Sequence, residues 1–278
     1  MKKIRWYITL LALLFSAQAF SQAQCLLFDM SQREPVFQSG EKITYTLSYI
    51  VAGMWVNVGE ATFLTTRKVE NRRPIYHIEV HGKTYPFFDR IFRIRDYFTT
   101  KIDAQTLKPF YMRRNIDEGG YRLTGFGHYD WDNSVIYTTT QRLDREQPAR
   151  RDTLKLTPCT FDVVSIFYYY RSCDFSQMKE RTPYSVQIVM DGKMYDIHYT
   201  LIGKEVLNVR GVGRFNTLRF SATPIAGTVF TGKERISFWI TDDENRVPVY
   251  IDAPIRFGSV RARISNWENL KQPMTSKL

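Results

Sequence analysis

The sequence predicts a mainly β protein: a single curved antiparallel sheet, an incompletely closed β-barrel, wrapped over one buried helix at about residues 161–172. Three observations predict it. Apolar and polar residues alternate along most of the chain, short polar turns recur at fairly even spacing, and one stretch is apolar around most of a helical cylinder. Alternation of period two gives a strand one buried face. Short turns between such strands make neighbours antiparallel. A helix apolar nearly all round belongs inside.

Each element follows from its residues. Ile43, Tyr45, Leu47 and Tyr49 alternate with Thr44, Thr46 and Ser48, and Tyr76, Ile78 and Val80 alternate with His77, Glu79 and His81. Phe92, Ile94, Asp96 and Phe98 share one strand face, while Arg93, Arg95 and Tyr97 take the other. Residues 87–91 read as a single helical turn. Residues 117–120, 130–134, 203–204 and 211–213 read as turns, and the charged stretch 142–151 as an exposed loop between a front and a back half. Phe161 to Arg171 is the helix, with Thr160 as its expected N-cap. Val186, Ile188 and Met190 lead into the hairpin turn Asp191-Gly192-Lys193, and Tyr195, Ile197 and Tyr199 return from it. Ile236, Phe238 and Ile240 reach the turn at 242–245, Val247, Val249 and Ile251 return, and Val260, Ala262 and Ile264 close the series.

The N-terminus points to export. Lys2, Lys3 and Arg5 precede an apolar stretch from Trp6 to Phe15, followed by Ala17 and Ala19. That is the layout of a secretory signal peptide cut after Ala19, with Ser21-Gln22-Ala23 as a second cut. The apolar core is short of the ~20 residues a spanning helix needs, and no later stretch of that length lacks charges, so no transmembrane segment is expected. The chain divides into a signal peptide (1–19), an N-terminal extension (20–39), one β domain (40–268) and a flexible tail (269–278). The expected location is periplasmic or secreted. Cys25 lies close to the signal, but the bulky polar Gln24 before it argues against lipid anchoring.

Three cysteines in an oxidising compartment allow one disulfide. A helix between Cys159 and Cys173 would hold its ends roughly 18 Å apart at 1.5 Å per residue. A disulfide needs Cα atoms within about 7 Å, which argues against that pair. The net charge of +11 includes three positive residues in the signal, and the rest are scattered along strands. That distribution suits a mildly cationic soluble surface better than a nucleic-acid site.

A search for chemistry finds no reaction centre. There is no Gly-x-Ser-x-Gly elbow, no His-Glu-x-x-His and no Cys-x-x-Cys. His77 and His81 share a strand face, but four strand residues span about 13 Å, too far for one metal at ~2 Å. Asp242, Asp243 and Glu244 sit in a turn where Asp is favoured for local hydrogen bonds, without the spaced oxygens of a calcium loop. Gly211-Val212-Gly213 lacks a third glycine and a following helix. No catalytic residue, metal or cofactor is expected.

Five residues are candidates for ligand binding: Asp96, Tyr121, Phe167, Arg171 and Trp239. Asp96 shares its face with core residues, so it must be paired or hydrogen-bonded. Arg171 at the helix end is its expected partner, in a structural salt bridge or in a ligand cavity. Core packing accounts for most of the aromatic rings. A subset, Tyr121, Phe167 and Trp239 among them, can line a pocket for a lipid chain or stack on sugars.

Several short motifs together carry a family resemblance. Gly40-Glu41-Lys42-Ile43-Thr44-Tyr45, then Val58-Gly59-Glu60-Ala61-Thr62, resembles the opening of the bacterial domain of unknown function 3108. So do Arg95-Asp96, Ile102-Asp103-Ala104 with Pro109, and Glu118-Gly119. Phe238-Trp239-Ile240-Thr241-Asp242-Asp243, Arg246-Val247-Pro248-Val249 and Gly258-Ser259-Val260 resemble its closing run. The resemblance spans about residues 40–265. It implies an exported, open antiparallel barrel around helical cover, similar to lipoprotein carriers of the LolA and LolB kind, and it carries over no binding residue. The function expected first is an exported, non-enzymatic binding or carrier protein for a lipid or other apolar molecule. An envelope scaffold that binds another protein and a cell-wall glycan binder are the alternatives.

Overall fold

A computed structural model describes Cys25 and residues 34–51, 53–225, 234–255 and 258–278. The expected signal peptide and its cleavage site lie outside the described residues. The front strands are β1 (Lys42–Val51), β2 (Met54–Glu70), β3 (Arg73–Thr84), β4 (Arg95–Asp103), β5 (Pro109–Glu118), β6 (Tyr121–Asp130), β7 (Val135–Arg142) and β8 (Arg150–Lys155). The back strands are β9 (Thr160–Phe161), β10 (Pro183–Met190), β11 (Lys193–Val209), β12 (Gly213–Ala222), β13 (Ile236–Thr241), β14 (Pro248–Pro254) and β15 (Ser259–Glu268). Helices α1 (Pro86–Asp89) and α2 (Ser165–Arg171) and a 3-10 turn at Phe175–Gln177 complete the set.

The strands form one 15-stranded sheet. Strands adjacent in sequence pair, β1 also pairs antiparallel with β15, and the order is broken once, between β8 and β9. The pairings are antiparallel except that the two-residue β9 runs parallel to β10. A meander joined through its first and last strands and cut once is an open barrel, as the alternation predicts. Bulges bend it at Thr44/Tyr45, Leu47/Ser48, Lys101/Ile102 and Trp239/Ile240. Gly203, read from the sequence as part of a turn, is instead a bulge inside the 17-residue β11, between Leu201 and Gly203. A glycine there accepts a φ of +148° without ending the strand. At Gly59 a Cβ would stand 2.3 Å from the Lys83 carbonyl oxygen, so only glycine permits this approach of β2 to β3.

The cut is closed by side chains. Tyr129, Ile136, Leu156 and Val189 pack together across it, and Arg114 of β5 pairs at 2.5 Å with Asp191 in the β10–β11 turn. Asp191 and Gly192 both have positive φ, the conformation of a tight hairpin turn. Cys159, between the two edges, is bonded to Cys25 with Cα atoms 6.3 Å apart. Cys173 lies outside the disulfide, buried, its thiol donating to the Tyr169 carbonyl at 3.2 Å.

The stretch 269–278, read as a frayed tail, runs instead along β12. Asn216 N donates to the Ser276 carbonyl at 2.8 Å and Leu278 N to the Arg214 carbonyl at 2.9 Å. Ser276 N also donates to Asp243, which takes hydrogen bonds from Thr241 and Asn245 in its own turn. The Asp242–Asn245 turn is thus a structural knot, as its sequence suggests.

Antiparallel connections alternate between two ends of the barrel. One end carries the β1–β2, β3–β4, β5–β6, β7–β8, β10–β11, β12–β13 and β14–β15 connections. The other carries β2–β3, β4–β5, β6–β7, β11–β12 and β13–β14.

Candidate functional site

The site is built around α2, which is shorter than predicted because the chain before it is spent on β9. Thr160 does not cap it. Its hydroxyl accepts from Thr157 N at 2.9 Å, and Asp162 is the cap, taking Val164 N at 2.9 Å and Ser165 N at 3.0 Å. Ser165 Oγ reciprocates by accepting from Asp162 N at 3.0 Å, the two-way pattern of a capping box. Asp162 also accepts from Thr100 of β4 at 2.9 Å, so the cap ties the helix to the front sheet.

One flank of α2 is packed solid. Tyr168 meets Phe37 edge-on at 4.8 Å, Phe37 meets Tyr76 at 4.9 Å, and Phe167 stacks on Phe63 at 5.0 Å. Thr65 donates to the Tyr168 hydroxyl at 2.9 Å. At the helix end, Arg171 holds both oxygens of Glu41, at 2.6 and 3.0 Å, and donates from Nε to the Asn245 carbonyl at 3.0 Å. Their side chains are 2% and 1% exposed. Burial alone would lower the Arg171 pKa, but the Glu41 charge and hydrogen bonds raise it. The buried guanidinium is therefore held charged, and its two-point contact with Glu41 compensates for lost hydration.

The other flank faces a cavity of about 310 Å³, within the roughly 300–1,000 Å³ of small-molecule pockets. Val163, Ile166, Phe167, Tyr170 and Arg171 form its floor, and Val186, Ile188, Ile197, Tyr199, Phe220, Phe238, Ile240 and Ile251 of β10 to β14 form most of its wall. The polar groups are few. The Tyr170 and Tyr199 hydroxyls share one hydrogen bond of 2.6 Å; burial holds both phenols protonated, well above the ordinary tyrosine range. Arg246 donates to the Arg171 and Cys173 carbonyls. Such a chamber suits an apolar body with at most one polar end.

Of the sequence candidates, Phe167 and Arg171 line this cavity and the other three do not. Asp96 does not meet Arg171. It lies on β4 beside Glu118 and Arg114 of β5 and accepts from Asp117 N at 3.2 Å. Burial first, and then the neighbouring Glu118 carboxylate, push its pKa up to about 7. Tyr121 starts β6 at the barrel end, with the Arg142 guanidinium 4.0 Å over its ring. Trp239 lies between Phe238 and Ile240 on β13 and so faces the opposite side, where its Nε1 donates to Glu205 and Arg219 covers its ring at 5.2 Å. The expected Asp96–Arg171 pair fails because Glu41 takes that place. Period two would have found it: Glu41 shares a face with the core residues Ile43 and Tyr45. Tyr170 and Tyr199 carried no signal beyond being aromatic. Among the described residues no cluster of three or more His, Cys, Asp or Glu side chains is placed to hold a metal ion. No helix among them is long and apolar enough to cross a membrane.

The family model described as "Protein of unknown function (DUF3108)" matches residues 44–265. The chain belongs to this family. It is also similar in fold to a solved "Beta-barrel-like Protein of Domain of Unknown Function DUF1849" from Brucella abortus, with a TM-score of 0.52 and 10% identity over 85% of this chain and 99% of that one. At that identity the likeness concerns fold alone. No curated protein matches the chain.

Proposed function

We propose that this DUF3108 protein is an exported, non-enzymatic carrier of the bacterial envelope that holds a lipid chain or similar apolar molecule beside α2. The observation that carries this reading is the cavity of about 310 Å³ with its branched-aliphatic and phenylalanine walls. A methylene is about as large as a water molecule, ~30 Å³ in the liquid, so the space accepts roughly ten carbons. The disulfide and the signal-like N-terminus support export. A scaffold that docks partners by strand addition is less well served. The free edge strand β8 carries Arg150, Arg151, Asp152 and Lys155, the charged pattern that blunts edges against pairing.

Native mass spectrometry of gently purified protein tests the reading. A co-purifying mass that disappears on delipidation, and that is absent when Ala222→Phe fills the cavity, is expected. A bare mass from every preparation, with no uptake of an added apolar fluorophore, overturns it.

A further inference from the structure

Exposed apolar side chains gather at one end of the barrel. Phe87 is 69% exposed, Ile91 71%, Phe92 50%, Met54 61% and Leu143 49%. All five belong to the β1–β2, β3–β4 and β7–β8 connections or begin the strand that follows them, so the meander brings them to a single rim. Tyr121, at the β5–β6 connection of the same rim, adds an amphipathic ring.

This rim is built and held in place. In the β3–β4 connection Asp89 accepts from Thr84 at 2.5 Å and from both terminal nitrogens of Arg95 at 2.9 and 2.5 Å. That latch fixes α1 with Phe87 and Ile91 pointing outward. Phe92 lies over Gly119, where any Cβ would strike its ring at 2.3 Å. Phe87, Ile91 and Phe92, held in water within one connection, form the kind of exposed apolar cluster that a partner covers.

The charge around them is positive on balance. Arg90, Arg93, Arg95, Arg122, Arg142, Arg145, Arg150 and Arg151 outnumber Asp89, Asp117, Glu118, Asp144, Glu146 and Asp152, and five of these arginines are ion-paired with the acids. Apolar side chains ringed by arginines match the acyl boundary and anionic headgroups of a lipid surface. The cavity approaches the same end: Ile188 is three residues before Asp191 of the β10–β11 turn, Ala222 ends β12, and Phe238 is the third residue of β13.

We propose that this rim docks onto an anionic lipid bilayer, with Phe87, Ile91 and Phe92 entering the interface and the arginines meeting its phosphates. The docking goes beyond the carrier reading and does not depend on what fills the cavity.

Sedimentation of the mature protein with vesicles tests it. Vesicles containing phosphatidylglycerol are expected to bind, pure phosphatidylcholine vesicles to bind far less, and added salt to weaken the difference. Phe87→Ser with Ile91→Ser should reduce partitioning by about tenfold or more, the worth of one to two half-buried apolar side chains. Val69→Ser removes an equally exposed side chain, 72%, from the opposite end and should change nothing. Circular dichroism confirms that the variants fold. Absence of binding to either vesicle, or equal binding by the double variant and the wild type, overturns the proposal. Uptake of an apolar fluorophore without vesicles is read separately, so failure of the rim and failure of the cavity are distinguishable.

Discussion

The two walls facing α2 are made of the same residue types and do opposite things. On the β2–β4 side, Phe37 fills the space between sheet and helix, and Ile78 and Ile102 are fully buried. On the β10–β14 side none of the described residues takes that place, and partly buried Ile197 and Phe238 look into open volume. The helix is a plug fastened along one flank. A cavity in a β-barrel therefore needs no special lining, only a plug too short to reach both walls.

The largest test of this contrast is the Glu41–Arg171 pair, the clamp on the fastened flank. Glu41→Ala leaves a buried guanidinium without its carboxylate and should cost about 3–5 kcal/mol in urea unfolding. A loss under about 1 kcal/mol would show that the aromatic contacts alone hold the helix. Next, Ile78→Ala in the filled wall should cost about 2–5 kcal/mol. Ile197→Ala in the open wall should cost about 1 kcal/mol, because its neighbours on one side are already missing. Equal losses would erase the distinction between the walls. Asp162→Ala removes the cap of α2 and should cost about 1–2 kcal/mol, with the apolar fluorophore bound less tightly because the cavity floor loosens.

The smallest effect lies away from α2 and serves as its control. Asp96 is raised to about 7 by burial and by Glu118, so the folded state keeps a proton that the unfolded chain releases near pH 4. Its contribution to stability is full below about pH 4 and is lost as pH rises toward 7. Asp96→Asn should flatten the stability profile over that window and raise stability at pH 8 by about 1 kcal/mol or less, solvent screening having reduced the effect. Ligand uptake should not change.

The architecture was legible because period-two alternation is a local signal, and the strands over 43–49, 76–81 and 236–251 carry it plainly. The single helix was legible for the complementary reason: its apolar residues surround the cylinder. Its limits were not, since Thr160 and Asp162 are both good caps and the choice between them depends on β10, which claims Thr160 for a short parallel pairing. The site was legible only in part. Phe167 and Arg171 belonged to the one element certain to be central, whereas Trp239 was placed by type and lies on the wrong face by one residue. Asp96 was read as buried, yet its neighbours come from β5, a register no single-strand pattern contains. The tail failed for want of periodicity, because its hydrogen bonds run through backbone groups that look alike in every sequence.

The pairing of β1 with β15 has a consequence for how the molecule comes into being. Lys42 meets Glu268, and Ile50 meets Ser259. Contacts of that sequence separation are slow to form, and the ring cannot be joined until nearly the entire polypeptide has been made. Joining of the ring thus comes last, after hairpins such as β2–β3 and β11–β12, whose partners lie close in sequence.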